Sequence, residues 1–167
     1  MEKEIDNMTN MRRGLAHPFD AKDVHWRVGS VTRDKSKGMP LAFIDARNVM
    51  DRLDLVVGPQ NWQREHRIEG EFIIARVGIK IDGDWVWKED GADKTDVEKI
   101  KGGLSDAFKR AAVSWGIGRY LYELPNSWIP LKDGKYITKD EEKKLAQALT
   151  RWSDNWVNEH KTKEKEA

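Results

Sequence analysis

The sequence contains no cysteine. That excludes a disulfide framework and any thiol-based metal or redox centre, and it suits a reducing compartment. No apolar stretch approaches the roughly 20 residues needed to span a bilayer. The opening MEKEIDNMTNMRRG is too charged to be a secretory leader, so the expected location is cytoplasmic, in a bacterial or phage-infected cell. An excess of charge of one sign is missing too: 30 Lys and Arg stand against 29 Asp and Glu, leaving +1 over 167 residues. A nucleic-acid role would therefore have to come from local segregation of charge. There is no phosphate-binding P-loop, no nucleophile elbow and no Cys–His pair. The glycines of GIG, 116–118, lack the remainder of a dinucleotide fingerprint, and His17, His25, His66 and His160 are scattered without metal-ligand spacing. No catalytic residue, metal or cofactor is expected, and the chain does not read as an enzyme.

What the sequence does contain is a well-punctuated alternation of strands and helices. Residues 1–16 read as a flexible start. VHWRVGSVT then alternates, with Val24, Trp26 and Val28 on one side and His25, Arg27 and Gly29 on the other. The turn-rich RDKSKGMP and the short LAF complete a hairpin. An amphipathic helix is expected over about 44–57, with Ile44, Val49, Leu53, Val56 and Val57 on one face and Arg47, Asp51, Arg52 and Asp54 mostly opposite. Gly58 and Pro59 stop it. WQREHRI and FIIARVGIKI read as two strands, and the DGD turn leads into a third, WVWKE. A helix over 97–115 follows, its start marked by the capping-box spacing of Thr95 and Glu98. Its apolar stripe is Ile100, Leu104, Ala107, Phe108, Ala111 and Trp115. After a loop with a small hairpin, TKDE opens a third helix carrying Leu145, Leu149, Trp152 and Trp156. The class is α+β, with a core over 17–130, a C-terminal hairpin and helix over 131–160 and a charged tail over 161–167.

Positive charge gathers in one place. Between 97 and 122 the basic residues Lys99, Lys101, Lys109, Arg110 and Arg119 face only Glu98 and Asp106, a local +3. On a helical projection Lys101, Ser105 and Lys109 share one polar edge, and Arg110 lies on the other beside Gly103 and Ser114. Ala112 projects among the polar positions, and small neighbours of this kind let a backbone or a flat ligand approach. Arg119 follows the helix end, next to Tyr120 and Tyr122. Such a ridge suits phosphate contact with aromatics nearby for stacking. By charge alone, a solvated amphipathic helix is the favoured reading, since a +3 excess over one helix is common. Asp45, Asp51 and Asp54 would suit a metal-dependent nuclease, but their place beside Arg47 and Arg52 favours surface ion pairs.

Three blocks carry a resemblance that decides between these readings. They are PFDAKDVHWRVGSV at 18–31, AFIDARNVMDRLDLVVGPQNW at 42–62 and KGGLSDAFKRAAVSWGIGRYLYELP at 101–125. In that order they resemble the Rad52 family of double-strand-break repair proteins in its compact phage and bacterial form, the single-strand annealing proteins. The resemblance implies a curved antiparallel sheet packed against a long helix, with a hairpin, a second helix and a C-terminal helix. It implies protomers assembled side by side into a ring or helical filament, with single-stranded DNA held by its phosphates and its bases facing outward. Pairing with a complementary strand would then proceed in homologous recombination without ATP. Carried onto this chain, the family's Lys-Arg pair falls on Lys109 and Arg110 and its early-strand arginine on Arg27; position and charge add Lys101 and Arg119. Val113 stands where eukaryotic relatives carry a further cation. Expected partners are single-stranded DNA, further copies of the chain, and a single-strand-binding protein or exonuclease. A passive strand-protecting module, a nuclease using Asp51 and Asp54, and a structural scaffold are the other readings.

Overall fold

The computed structural model describes residues 2–93 and 100–162, and side chains over 7–93 and 102–160. Contacts gather the chain into two compact units, Met1–His17 with Asp45–Arg119, and Pro18–Ile44 with Tyr120–Ala167. These boundaries fall inside the stretch 17–130 that the sequence reads as one core. The class is α+β; the described residues form two small open antiparallel sheets and four α-helices.

The first unit holds α1 (Glu2–Ala16), α2 (Ala46–Val57), the sheet β3 (Trp62–Glu69), β4 (Phe72–Ile81) and β5 (Asp84–Asp93), and α3 (Ile100–Ser114). In the sheet β4 is central. Period-2 alternation decides its two faces. Ile73, Ala75, Val77 and Ile79 are fully buried on one of them, and α3 lies across β4 and β5. Phe108, Ala107 and Ala111 of α3 and Val49 and Leu53 of α2 are also fully buried. The expected strands are thus present, as are the apolar stripes of α2 and of α3 from Leu104 onward; the Ile100 side chain lies outside the described residues. The capping-box residues Thr95 and Glu98 lie outside the described residues.

The N-terminal segment corrects the sequence reading. Residues 2–16 form α1 instead of a flexible start, and Leu15 near its end is buried. The physical reason lies in α2. Arg52, expected on that helix's polar face, is buried and turns its guanidinium onto the end of α1. Its Nη1 donates to Gly14 O at 3.0 Å, to Leu15 O at 3.4 Å and to His17 O. Carbonyls left unpaired at a helix end attract cations, so a buried charge and an uncapped helix satisfy each other. Gly14 permits the approach, because a Cβ there would stand 3.0 Å from the Val56 side chain.

The second unit holds β1 (His25–Val31), β2 (Lys37–Phe43), the two-residue β6 (Ile129–Pro130) and α4 (Lys139–Thr162), with β2 in the middle of the sheet. The hairpin pairs His25 with Phe43 and Arg27 with Leu41, and a bulge follows Val28. Its loop is tied by Asp34, whose carboxylate accepts from Thr32 Oγ1 at 2.6 Å and from Ser36 N at 3.1 Å. The expected small hairpin survives as a bridge between Lys132 and Tyr136. Helix α4 opens as expected at Thr138, which accepts from Glu141 N at 3.3 Å. Leu149 is buried, and Trp152 stacks on Tyr120 with centroids 5.2 Å apart. The Tyr120 hydroxyl in turn accepts from Phe19 N at 3.1 Å.

Candidate nucleic-acid interface

The candidate site is built on α3, so its geometry follows from how that helix is seated. Gly103 makes the close seating possible: a Cβ there would come within 2.7 Å of Ile73 Cδ1. The small residue is used against the protein's own sheet, not held open for a ligand. Ala112 corrects the helical projection in the same way, being fully buried. Phe108 is stacked by Trp62 at 6.3 Å between centroids and covered by the Arg64 guanidinium at 4.8 Å. Trp115 donates its indole N–H to Val77 O at 3.0 Å, and His66 donates from Nε2 to Leu104 O at 3.1 Å. With one face anchored this way, Lys109 and Arg110 are left at the polar margin.

Both cations have carboxylate partners. Lys109 Nζ lies 3.0 Å from Asp106 Oδ1, one helical turn earlier, and its side chain is 25% exposed. Arg110 Nη2 lies 3.1 Å from Asp90 Oδ1 on β5, and its side chain is 53% exposed. The same Asp90 oxygen accepts from Gly91 N at 2.7 Å. Register explains why Asp90 can reach the helix: it pairs with Ala75, on the covered face of the sheet.

The end of α3 draws in two more cations. Gly116, at φ +96°, lets the chain reverse, with Ile117 N donating to Ala112 O at 3.2 Å and Gly116 N to Val113 O at 2.9 Å; this is the Schellman pattern. Arg119 then donates from Nε and Nη2 to Val113 O at 3.1 and 2.8 Å, and from Nη2 to Ser114 O at 3.0 Å. Lys88 donates to Ser114 O at 3.0 Å and lies 4.4 Å from the centre of the Trp115 ring. Position and charge assign Arg119 a phosphate contact; in the structure its Nε and Nη2 donate to helix carbonyls. Lys88 went unnoticed in the sequence, although alternation along β5 puts it two residues from Asp90 on the same face.

Lys88, Lys109, Arg110 and Arg119 thus share the first unit: Lys109 and Arg110 lie in the C-terminal half of α3, and Lys88 of β5 and Arg119 beyond the helix reach its end carbonyls. Lys101 stands in the first turn of the helix, and its side chain lies outside the described residues. Arg27 is exposed on β1, in the second unit. Of the acidic residues considered for a nuclease, Asp54 accepts the Trp62 indole N–H at 2.6 Å, and Arg47 lies 3.8 Å from Asp45. Among the described residues, no three His, Asp or Glu side chains cluster to hold a metal ion. No described helix is long and apolar enough to cross a membrane.

The hairpin, the three-stranded sheet under α3 and the cationic end of that helix define a class. Residues 7–140 match the model of the Rad52/22 family double-strand break repair protein, and the chain belongs to that family. Its relatives include the single-stranded DNA-binding protein DdrA of Deinococcus deserti, 40% identical over 130 residues, and the DdrA of Deinococcus radiodurans, 34% identical over the same length. Each alignment covers 77% of this chain, which spans 64% and 62% of the length of those two proteins.

Proposed function

We propose that this chain binds single-stranded DNA through the cationic end of α3 and, assembled from many copies, anneals complementary strands without ATP. The observation that carries the reading is the placement of Lys109 and Arg110. They are side by side on a helix whose opposite face is buried, so their positions are set by the core. Family membership and the names of the two DdrA relatives support the same substrate. Arg27 and Lys101 join the proposed contacts. Arg119 and Lys88 act there as charges fixed at the helix end.

Two polyanions repel, and the field of Lys and Arg lowers that barrier. A modest excess per protomer suffices when the site repeats, because linked weak contacts multiply. That answers the near-neutral total charge. Bases left facing solvent can test register against a second strand, and duplex formation supplies the driving force. No general acid, nucleophile or nucleotide is needed in this reading.

The test is binding of a labelled oligothymidylate, and pairing of complementary strands, at two salt concentrations with oligomer size measured on the same sample. Lys109→Ala with Arg110→Ala should leave the fold intact, weaken binding, and reduce the salt slope by about two per engaged protomer. Unchanged binding would remove the site assignment. The relatives are named for binding and not for annealing, which favours a second reading as a strand-protecting module. Binding without faster pairing would establish that one.

A further inference from the structure

Resting on the reading of α3 as a single-strand site, we propose that Asp90 and Asp106 are its affinity-setting residues: each occupies the place beside a cation that a DNA phosphate would take. The four cations at the end of α3 fall into two kinds. Arg119 and Lys88 are held by the carbonyls of Val113 and Ser114. A carbonyl carries only partial charge, so both keep their full formal charge as seen from outside. Lys109 and Arg110 are held by carboxylates at 3.0 and 3.1 Å, and each such pair presents a dipole to an approaching strand. The set carries +2, although its cations alone would make +4.

The carboxylates are fixed in place, unlike ions from solution. Asp106 sits on the same helix as Lys109. Asp90 is held by the β4–β5 register and by Gly91 N at 2.7 Å. A phosphate taking Lys109 or Arg110 therefore competes with an anion that cannot diffuse away, and that anion stays beside the bound strand and repels it. A binding site of this kind holds a strand and still releases it, which annealing requires once the duplex forms.

Asn keeps the shape of Asp and an acceptor for Gly91 N, and it removes the charge. Asp90→Asn and Asp106→Asn are each expected to tighten oligothymidylate binding by about three- to tenfold at low salt. Each should also steepen the dependence of log K on log salt, by up to about one. The experiment titrates labelled oligothymidylate with the wild-type chain, both Asn variants and the Lys109→Ala/Arg110→Ala chain, over a range of salt, with circular dichroism confirming the fold of each. Asp106 is mostly exposed on a helix surface, so its variant keeps the test decisive should Asp90→Asn unfold. Equal or weaker binding by the Asn variants, beside a wild type that binds and an alanine chain that binds more weakly, overturns this inference and leaves the DNA reading standing; weaker binding would make the carboxylates orienting groups. A wild type that ignores the oligonucleotide, or an alanine chain that binds as well as wild type, overturns both.

Discussion

The two faces of the sheet β3–β4–β5 are made from adjacent residues of the same strands, and they do opposite things. On the covered face Ile73, Ala75, Val77 and Ile79 are excluded from water beneath α3. On the other face, one residue out of step, lie Ile74, Arg76, Gly78 and Lys80. Arg76 pairs there with Glu65 at 2.6 Å, and Arg67 with Glu89 at 2.9 Å. Arg67 holds the Glu89 carboxyl below the usual carboxylate range through a direct hydrogen bond and its charge. The Arg76 guanidinium also lies 4.3 Å from the Trp87 ring centre. The covered face shows that stability comes from area withdrawn from water. The open face shows how charged side chains keep an apolar framework soluble at little energetic gain.

The contrast can be broken in order of size. Ile73→Ala should cost about 2–5 kcal/mol, because the site is fully buried and the cavity cannot collapse under α3. Its neighbour Ile74→Ala should cost at most about 1.5 kcal/mol. Urea unfolding of the two variants measures the difference, and equal losses would mean that both faces are packed. Gly78→Ala comes next. Its Cβ would meet the Trp87 ring at 2.9 Å, so the indole must shift, at a cost of about 1–3 kcal/mol and with a change in tryptophan emission. Arg76→Gln should cost under about 1 kcal/mol, and less at high salt. The smallest effect belongs to the β1–β2 loop of the other unit. Hydrogen bonds from the Thr32 hydroxyl, then from the Ser36 amide and hydroxyl, pull the Asp34 carboxyl down to about 2. A depressed carboxyl contributes its stability above its unfolded value near 4, and loses it as pH falls through about 2. The Ser36 amide resonance should therefore hold still down to about pH 3 and move only below it; Asp34→Asn should abolish that transition.

The framework was readable because its signals are local. β4 alternates with period 2 and α3 with period 3.6, and Thr138, Gly58 and Gly116 punctuate helix ends by their own backbone chemistry. Where the reading failed, the missing information lay in a distant partner. α1 has a weak apolar stripe, Met8, Met11 and Leu15, and its end is completed by Arg52, more than 35 residues along the chain. Gly103 and Ala112 read as open positions because nothing in the local pattern names the distant neighbours that fill the space, Ile73 in the case of Gly103. The cations show the same division. Lys109 and Arg110 were legible as a pair and by resemblance. Asp90 could not be assigned to Arg110, because their contact depends on the register of β5 against β4 and on the seating of α3.

The sequence by itself determined most of the apolar residues that face inward, where most elements begin and end, and the family to which they add up, since hydrophobic period and turn chemistry act over a few residues. Only the tertiary structure decided which charges remain available. A side chain's effective charge depends on the carboxylate or carbonyl within about 3 Å of it, and here three of those partners arrive from elsewhere along the chain: Asp90 for Arg110, Ser114 O for Lys88, and the end of α1 for Arg52.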